Sequence, residues 1–239
     1  EARYLQIFKG DEIEFPEDGY QGEDIKDLAK EYADLNGDSL VNVSAEERKK
    51  ALVDYALPKN IKKMQADMEK YKIFYDKWFF ESELHKSGAV KAVVDLLTKK
   101  GLTYEKEGAV WYKNKEVLTQ KLLKEGKSQK YIDNLELKDD VLIRQNGNPT
   151  YFTADIAYHK NKFDRGFTTL IDVWGADHHG HVMRMKGAMD AIGYDGDKLN
   201  VVLMQLVKLV KDGELVRMSK RTGKAIQLGD LLDEVPVDS

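Results

Sequence analysis

The stretch that decides the fold runs from Thr168 to Val210 and reads TTLIDVWGADHHGHVMRMKGAMDAIGYDGDKLNVVLMQLVKLV. Its first part, Thr168 to Trp174, is typical of a buried strand that ends at Gly175. An apolar stripe at helical spacing follows and closes at Gly193. Val201 to Val210 then reads as an apolar run suited to a parallel strand that is covered on both faces. Strand, helix and strand in that order predict an open α/β sheet.

The first hundred residues are predicted to be mainly helical. Apolar residues recur at spacings of three and four between Ile25 and Leu35, and again between Val90 and Leu97. Ser44 and Glu47 form a capping box that opens a further helix. Pro58 should end or bend that helix, because a proline inside a helix removes a hydrogen bond and clashes with the preceding turn.

Short segments rich in aromatic and branched residues begin after Gly101 and predict strands. These segments are Ala109 to Tyr112, Val141 to Arg144 and Thr150 to Thr153. The pair Asn146-Gly147 between the last two predicts a hairpin turn. The charged stretch from Glu116 to Lys138 is predicted to be a helical insertion over the sheet edge.

The composition bounds the class of protein. The 239 residues include 38 Lys and Arg against 42 Asp and Glu, five His and no Cys, for a net charge of −4. No apolar run approaches the about 18 residues of a transmembrane helix, so we expect a soluble, cytoplasmic protein without a membrane partner. The lack of Cys excludes disulfides and thiol chemistry. Because the sequence starts at Glu1, without Met or a signal peptide, we expect part of a longer protein.

Histidines concentrate where the first predicted strand meets its helix, in the run Gly175-Ala176-Asp177-His178-His179-Gly180-His181. Open α/β sheets bind ligands at this edge, and the amides of a helix start favour anions. Gly175 would let a ligand approach the backbone, and Asp177 would hold ribose hydroxyls. His178 or His181 would donate to a phosphate or a ribose. The run therefore points to a nucleotide-like ligand.

Two other interpretations of this run stay open at this point. Asp177 can simply cap its helix, with the histidines on the helix surface. Asp177, His178 and His179 also have the ligand types of a divalent metal site, as in metal-dependent phosphoesterases with an Asp-His-His signature. Such enzymes need further Asp pairs, for which Asp139-Asp140 is a weak substitute.

Two further patches have residue types that suit charged ligands. The segment from Arg217 to Lys224 holds four basic residues and no acid. It suits a polyphosphate, although a basic run is also typical of a solvated face. Tyr151 and Asp155 are four residues apart, so on a helix start they can face one pocket. A carboxylate beside a phenol suits a guanidinium or an amine, and the alternative is a capping Asp155 with Tyr151 in the core.

These three patches, in this order and at these separations, resemble the second half of a class I aminoacyl-tRNA synthetase catalytic domain, and most closely the arginyl-tRNA synthetase family. The resemblance extends over almost the whole chain through the segments Phe15 to Gly22, Asp76 to Trp78, Glu81 to Glu83, Glu107 to Trp111, Gln205 to Val207 and Asp230 to Leu232. It implies an α/β fold, the second half of a Rossmann-like nucleotide-binding catalytic domain. Residues 1–105 would be a mainly helical insertion or connective region. Residues 106–239 would hold the nucleotide-binding half, the arginine site and a KMSKS-type loop.

The resemblance also implies roles for individual residues. Arg217 to Arg221 matches the KMSKS-type loop, in which the catalytic Lys220 would neutralise the triphosphate as pyrophosphate leaves. Arg217 stands in place of the usual first Lys of that loop and keeps its charge. The implied arginine-binding residues are Tyr151, Asp155 and His178. The implied ATP-binding residues are Gly175, Asp177, His181, Gln205, Met218, Ser219 and Lys220.

The implied reaction is ATP-dependent activation of L-arginine to arginyl-adenylate, followed by transfer to tRNA(Arg) in translation. ATP would be a substrate, Mg²⁺ would accompany it, and no structural metal is expected. The family also needs a His-Ile-Gly-His-type signature, and no His-x-Gly-His precedes Tyr151. We therefore expect an inactive internal fragment that lacks this signature and the anticodon-binding domain, and whose exposed sheet edge favours self-association. A non-catalytic binding module derived from a synthetase is the remaining alternative.

Overall fold

A computed structural model of the chain describes residues 1–17, 19–211, 213–215, 227–235 and 237. Its helices are α1 (Ala2–Lys9), α2 (Glu23–Asn36), α3 (Ala45–Lys70), α4 (Glu81–Lys86), α5 (Ala89–Lys99), α6 (Asn114–Lys124), α7 (Gln129–Asp133), α8 (Tyr151–Asp164), α9 (His179–Ile192) and α10 (Leu228–Glu234). Its strands are β1 (Thr103–Lys106), β2 (Ala109–Tyr112), β3 (Asp140–Ile143), β4 (Leu170–Gly175), β5 (Leu199–Met204), β6 (Val210–Lys211) and β7 (Glu214–Leu215). No helix in these ranges is both long and apolar enough to cross a membrane.

The chain groups into two compact units. One unit is residues 78–207, and it contains α4 to α9 and β1 to β5. The other unit joins residues 1–77 to the segment from 208 onward, and it contains α1 to α3, β6, β7 and α10. The mixed α/β character expected from the sequence is confirmed, and the division at residue 105 stays a prediction.

The capping box predicted at the start of α3 is confirmed. Ser44 Oγ accepts a hydrogen bond from the Glu47 amide at 3.2 Å, and the Glu47 carboxylate accepts one from the Ser44 amide at 3.2 Å. Pro58 does not end this helix, which continues to Lys70. Contacts with α2 hold α3 on both sides of the proline, through the Tyr55 ring before it and the Lys59 side chain after it. These contacts offset the missing backbone hydrogen bond.

An antiparallel sheet of order β1-β2-β3 precedes the helix α8. The turn predicted at Asn146-Gly147 is confirmed, since Gly147 has a φ of 80° and the Arg144 amide donates to the Asn148 carbonyl. The strand predicted over Thr150 to Thr153 is wrong, because α8 starts at Tyr151. Pro149 makes a single bridge to Ile143 and then the chain turns into the helix. The Thr150 hydroxyl donates to the Val141 carbonyl at 2.8 Å, and this bond anchors the helix start against β3.

Strands β4 and β5 form a parallel pair in continuous register, from Leu170 opposite Leu199 to Gly175 opposite Met204. The strand predicted over Val201 to Val210 is therefore shorter at its carboxyl end, since the polar residue Gln205 follows directly after the last paired residue. The prediction that this strand is covered on both faces is also wrong. One face of the pair is buried, whereas Ile171, Val173, Val202 and Met204 on the other face are exposed.

The core of the 78–207 unit lies between the buried face of this parallel pair and the helices α5, α8 and α9. Its fully buried side chains include Val93, Leu97, Ile156, Met185, Met189 and Leu199. The charged stretch between β2 and β3 is helical, as predicted, and its first helix α6 packs on α9. The closest approach is at Gly187 of α9, which faces the buried Leu118 of α6. This core fixes the positions of α8, β4 and α9 relative to one another.

The packing of α6 on α9 is tested by Gly187→Ala. A Cβ at this position would lie 2.6 Å from Leu118 Cδ2, and Leu118 is too buried to move away. Overpacking of this kind destabilises the fold by about 1–3 kcal/mol. The better helix propensity of alanine offsets less than about 1 kcal/mol of this loss. We expect a net loss of about 1 kcal/mol or more in urea unfolding followed by circular dichroism.

The matched control is Gly180→Ala in the same helix, where a Cβ meets no atom within 4 Å. We expect this variant to be as stable as the parent chain or more stable, because alanine favours the helix. Equal stabilities of the two variants would contradict the packing described for α6 and α9.

Candidate functional site

A cleft of about 480 Å³ opens at the carboxyl end of β4. Its walls come from α8, from β4 and from the start of α9. After Gly175 the chain makes one 3-10 turn, Ala176–His178, and then enters α9. The lining side chains include Asp155, Tyr158, His159, Lys162, Asp172, Trp174, His178 and His181. The cleft thus lies where ligands bind in open α/β sheets.

Asp155 and His181 face each other across the cleft. Asp155 lies on α8 and His181 lies in the first turn of α9, and His181 Nε2 is 3.2 Å from Asp155 Oδ2. The Asp155 side chain is 44% exposed, so its carboxylate keeps room for a ligand. The ring of Trp174 lies 5.4 Å from the ring of His181 and forms an apolar wall beside this pair. This arrangement offers a carboxylate that is open to a cation and flanked by aromatic rings.

Asp172 forms a second, closed ion cluster in the same cleft. Its Oδ2 lies 2.5 Å from His159 Nε2, and its Oδ1 accepts a hydrogen bond from Lys162 Nζ at 2.8 Å. Burial raises the pKa of the Asp172 carboxyl, but the hydrogen bonds from His159 and Lys162 outweigh it and bring the pKa below the usual value. Asp172 is therefore ionised at neutral pH, with both oxygens already engaged.

Asp177 and His178 are exposed at the mouth of the cleft. Their side chains are 66% and 60% exposed, and His178 Nε2 lies 3.8 Å from Asp177 Oδ2. The Asp177 carboxylate folds back over Gly175, where a Cβ would lie 2.4 Å from Asp177 Oδ1. A side chain at position 175 is thus incompatible with the present position of Asp177. Gln205 follows the residue paired with Gly175, so it lies at the same edge of the sheet.

Tyr151 does not share this cleft with Asp155, although both residues lie on α8. Tyr151 is the first residue of the helix, is 80% exposed and lines a separate hollow of about 360 Å³. The other walls of that hollow include Glu81, His85 and Arg144. The structure therefore brings Asp155, His178 and His181 to one cleft and places Tyr151 one helical turn away.

The basic patch cannot be placed relative to these residues. Arg217, Met218, Ser219 and Lys220 lie outside the described part of the chain. Their expected roles stay predictions from the sequence resemblance.

The metal interpretation of the His-rich run finds no support in the described residues. Within the ranges that the structure covers, no three His, Asp or Glu side chains converge as ligands of one ion. The nearest pair in the run, Asp177 and His178, is open to solvent on most of its surface. The Asp139 and Asp140 carboxylates have other partners: Asp139 accepts from the Tyr104 hydroxyl and the Lys115 amide, and Asp140 accepts from Arg184.

Sequence reasoning assigned no role to His159, Lys162 or Asp172. A signal was available on the helix, since positions 155, 159 and 162 recur at helical spacing and would place Asp155, His159 and Lys162 on one face. Asp172 was also unusual, because it is an acid inside an otherwise apolar strand. A buried acid needs a partner, and the partner lies on the preceding helix.

The closed cluster is tested by Asp172→Asn. This substitution leaves His159 and Lys162 without their shared carboxylate, and breaking a buried ion pair costs about 3–5 kcal/mol. We expect a loss of this size in urea unfolding at neutral pH. The control is Asp164→Asn on the same helix, which breaks an exposed pair with Lys160 and keeps an amide oxygen that can accept from the Tyr194 hydroxyl, so it should cost about 1 kcal/mol.

The same comparison has a pH dependence with a defined sign. Because the folded-state pKa of Asp172 is lowered, its stabilising effect is complete above the unfolded value of about 3.9 and is lost as the pH falls through the folded value. The stability difference between the parent chain and Asp172→Asn should therefore shrink below about pH 4. A difference that stays constant down to about pH 2 would contradict the ion cluster.

Comparison with known families agrees with this arrangement. The model of the family described as tRNA synthetases class I (R), catalytic domain, matches residues 21–237. Among curated relatives, the arginine–tRNA ligase of Ruminiclostridium cellulolyticum is 53% identical over the whole chain. The arginine–tRNA ligase of Caldanaerobacter subterraneus subsp. tengcongensis is 55% identical, also over the whole chain. In both cases the chain spans 40% of the length of the relative.

Solved structures give the same result for the fold. A Campylobacter jejuni crystal structure described as an arginyl-tRNA synthetase aligns with 99% of the chain and 48% of its own length, with a TM-score of 0.79 and 34% identity. The Thermus thermophilus arginyl-tRNA synthetase aligns with 98% of the chain and 43% of its own length, with a TM-score of 0.61 and 18% identity. The parallel pair, the cleft at its carboxyl end and the match over residues 21–237 lead to one conclusion. The chain belongs to the family of class I tRNA synthetases (R) and is part of their catalytic domain.

Proposed function

We propose that the chain supplies the arginine-binding and part of the ATP-binding surface of an arginine–tRNA ligase. The observation that carries this proposal is the open carboxylate of Asp155, which faces His181 at the carboxyl end of the parallel pair. A carboxylate in this position suits the guanidinium group of L-arginine, which can donate two parallel hydrogen bonds to it. His178 at the mouth of the same cleft would contact the remainder of the amino acid.

The ATP side of the proposal rests on the sheet edge and on the basic loop. Gly175, Asp177, His181 and Gln205 lie at or beside the carboxyl ends of β4 and β5, where nucleotides bind in this type of fold. Arg217 and Lys220 would add the phosphate-binding charges of a KMSKS-type loop, and Met218 and Ser219 would shape its adenine side. Mg²⁺ would enter with ATP, because it prefers phosphate oxygens and water to an all-protein cage, and we propose no structural metal.

The proposed reaction has two steps. The arginine carboxylate attacks the α-phosphorus of ATP, pyrophosphate leaves, and the arginyl group then moves from the adenylate to the terminal ribose of tRNA(Arg). The protein would act by positioning the reactants and by stabilising charge on the phosphates. Tyr151 would extend the arginine site from its neighbouring hollow. We place this activity in the cytoplasm and away from membranes, and we expect the exposed sheet edge to favour self-association.

The arginine site is tested by NMR titration of the 239-residue chain with L-arginine. We expect shifts at Asp155 and His181, and weaker binding by about tenfold or more for Asp155→Asn, because a charge-assisted hydrogen bond is lost. Asp164→Asn is the matched control, since it removes a carboxylate from the exposed side of the same helix.

Citrulline provides a control on the ligand, because it has the shape of arginine without the positive charge. We expect citrulline to bind more weakly than arginine to the parent chain. To the Asp155→Asn variant, we expect citrulline and arginine to bind about equally. Absence of arginine-dependent shifts in the parent chain, or equal binding of the two ligands, would contradict the proposed site.

Catalysis is tested by arginine-dependent exchange of pyrophosphate into ATP. The 239 residues contain no His-x-Gly-His before Tyr151, so one of the two phosphate-handling signatures of the family is absent from them. We expect no exchange above background from the chain alone, and activity from the full-length Ruminiclostridium cellulolyticum ligase as positive control. Exchange at the level of the full-length enzyme would show that the chain activates arginine without that signature.

A further inference from the structure

The cluster of His159, Lys162 and Asp172 has no part in the binding contacts proposed above, although it lies in the same cleft. The His159 and Asp172 side chains are only 4% and 9% exposed, and Lys162 is 16% exposed. Polar groups that are buried to this degree lose their hydration, and this loss costs free energy unless the groups bind one another. The contacts of His159 show how the three side chains are held together.

Both ring nitrogens of His159 face hydrogen-bond acceptors. Nδ1 lies 2.7 Å from the main-chain carbonyl oxygen of Asp155. Nε2 lies 2.5 Å from Asp172 Oδ2, and the Asp172 carboxyl is ionised because its pKa lies below the usual value. The ring of His159 is therefore held at both ends.

The two contacts join the helix to the strand at the position of the arginine-reading residue. Asp172 lies on β4, and the carbonyl that His159 holds belongs to Asp155 itself. In a helix this carbonyl already accepts the backbone amide four residues later, so the ring adds a second restraint on the same peptide group. The Asp155 side chain leaves the backbone from that restrained residue, and its carboxylate meets His181 at 3.2 Å.

The cluster also makes the two carboxylates of the cleft, Asp172 and Asp155, different in their availability to a ligand. Asp172 has one oxygen bound to His159 and the other bound to Lys162. Among the described residues, the Asp155 carboxylate makes one polar contact, to His181, and the side chain is 44% exposed. A cationic ligand that enters the cleft thus finds one free carboxylate and one that is fully compensated.

We propose that His159 is a positioning residue for arginine recognition: its ring, held between Asp172 and the Asp155 carbonyl, fixes the Asp155 carboxylate opposite His181 and, with Lys162, keeps Asp172 from competing for the guanidinium. This inference rests on the proposed binding of arginine at Asp155. Geometry of this kind matters because a displacement of about 1 Å at a bidentate contact can cost a large factor in binding or rate.

The first test needs no ligand. In the ¹⁵N-labelled 239-residue chain, we expect His159→Gln to shift the ring signals of His181, because Asp155, which His181 contacts, changes position. Unshifted His181 signals would overturn the proposal.

The second test is the affinity for arginine and for ATP, measured separately by titration of each ligand. We expect His159→Gln to weaken arginine binding about tenfold and to leave ATP binding within about twofold. Lys162→Met, which frees one oxygen of Asp172, should weaken arginine binding in the same direction and serves if His159→Gln does not fold. Equal losses for both ligands, or unchanged arginine binding in both variants, would overturn the proposal.

Lys160→Met is the matched control, because it removes a positive charge from the exposed side of the same helix, where Lys160 is paired with Asp164. It should change neither the His181 signals nor arginine binding. If the parent chain itself does not bind arginine, the proposed function fails. The positioning by His159 is then decided by the ligand-free test alone, in which unshifted His181 signals in His159→Gln would overturn it.

Discussion

The parallel pairing of β4 with β5 is the constraint on which the rest of the 78–207 unit depends. Because Leu170 lies opposite Leu199 and Gly175 lies opposite Met204, the carboxyl ends of both strands meet at one edge. Hydrophobic packing of α8 and α9 on the buried face of the pair then fixes where each helix begins and ends relative to this edge. The cleft follows from this geometry, since α9 starts where β4 stops and α8 runs alongside it.

Within the cleft, the partners of the two carboxylates determine which one is open to a cationic ligand. Asp172 and Asp155 both face the cleft, but only Asp172 has both carboxylate oxygens engaged by side chains of the neighbouring helix. The low dielectric constant of a buried site strengthens such pairs and makes burial of an unpaired carboxylate costly. The carboxylate of Asp155, which is 44% exposed, accordingly lies where the cleft is open to solvent. The proposed activation of arginine by ATP needs this combination of a cation-binding position and a sheet edge that suits a nucleotide.

Much of the fold could be predicted from the sequence where a local signal agrees with tertiary packing. The helix that ends near Gly37, the capping box at Ser44 and the strand-helix-strand order after Thr168 were predictable, because each has a mechanism in the chain itself. The prediction failed at Thr150 to Thr153, where branched and aromatic residues begin a helix. Their β propensity is overridden because Thr150 anchors to the Val141 carbonyl and Phe152 and Thr153 are buried in the core.

The candidate site was predictable in its exposed part and not in its buried part. The His-rich run and Asp155 have residue types that stand out in sequence, and the structure brings Asp155, His178 and His181 together. The link between His159 and Asp172 depends on which strand packs against α8, and no spacing along the chain reveals that.

The central claim, that Asp155 is the carboxylate that binds the arginine guanidinium, is tested most directly by a crystal structure of the chain with L-arginine. We expect the guanidinium within hydrogen-bond distance of the Asp155 carboxylate, with Asp172 still bound to His159 and Lys162. A guanidinium bound to Asp172, or in the hollow beside Tyr151 and Glu81, would contradict it.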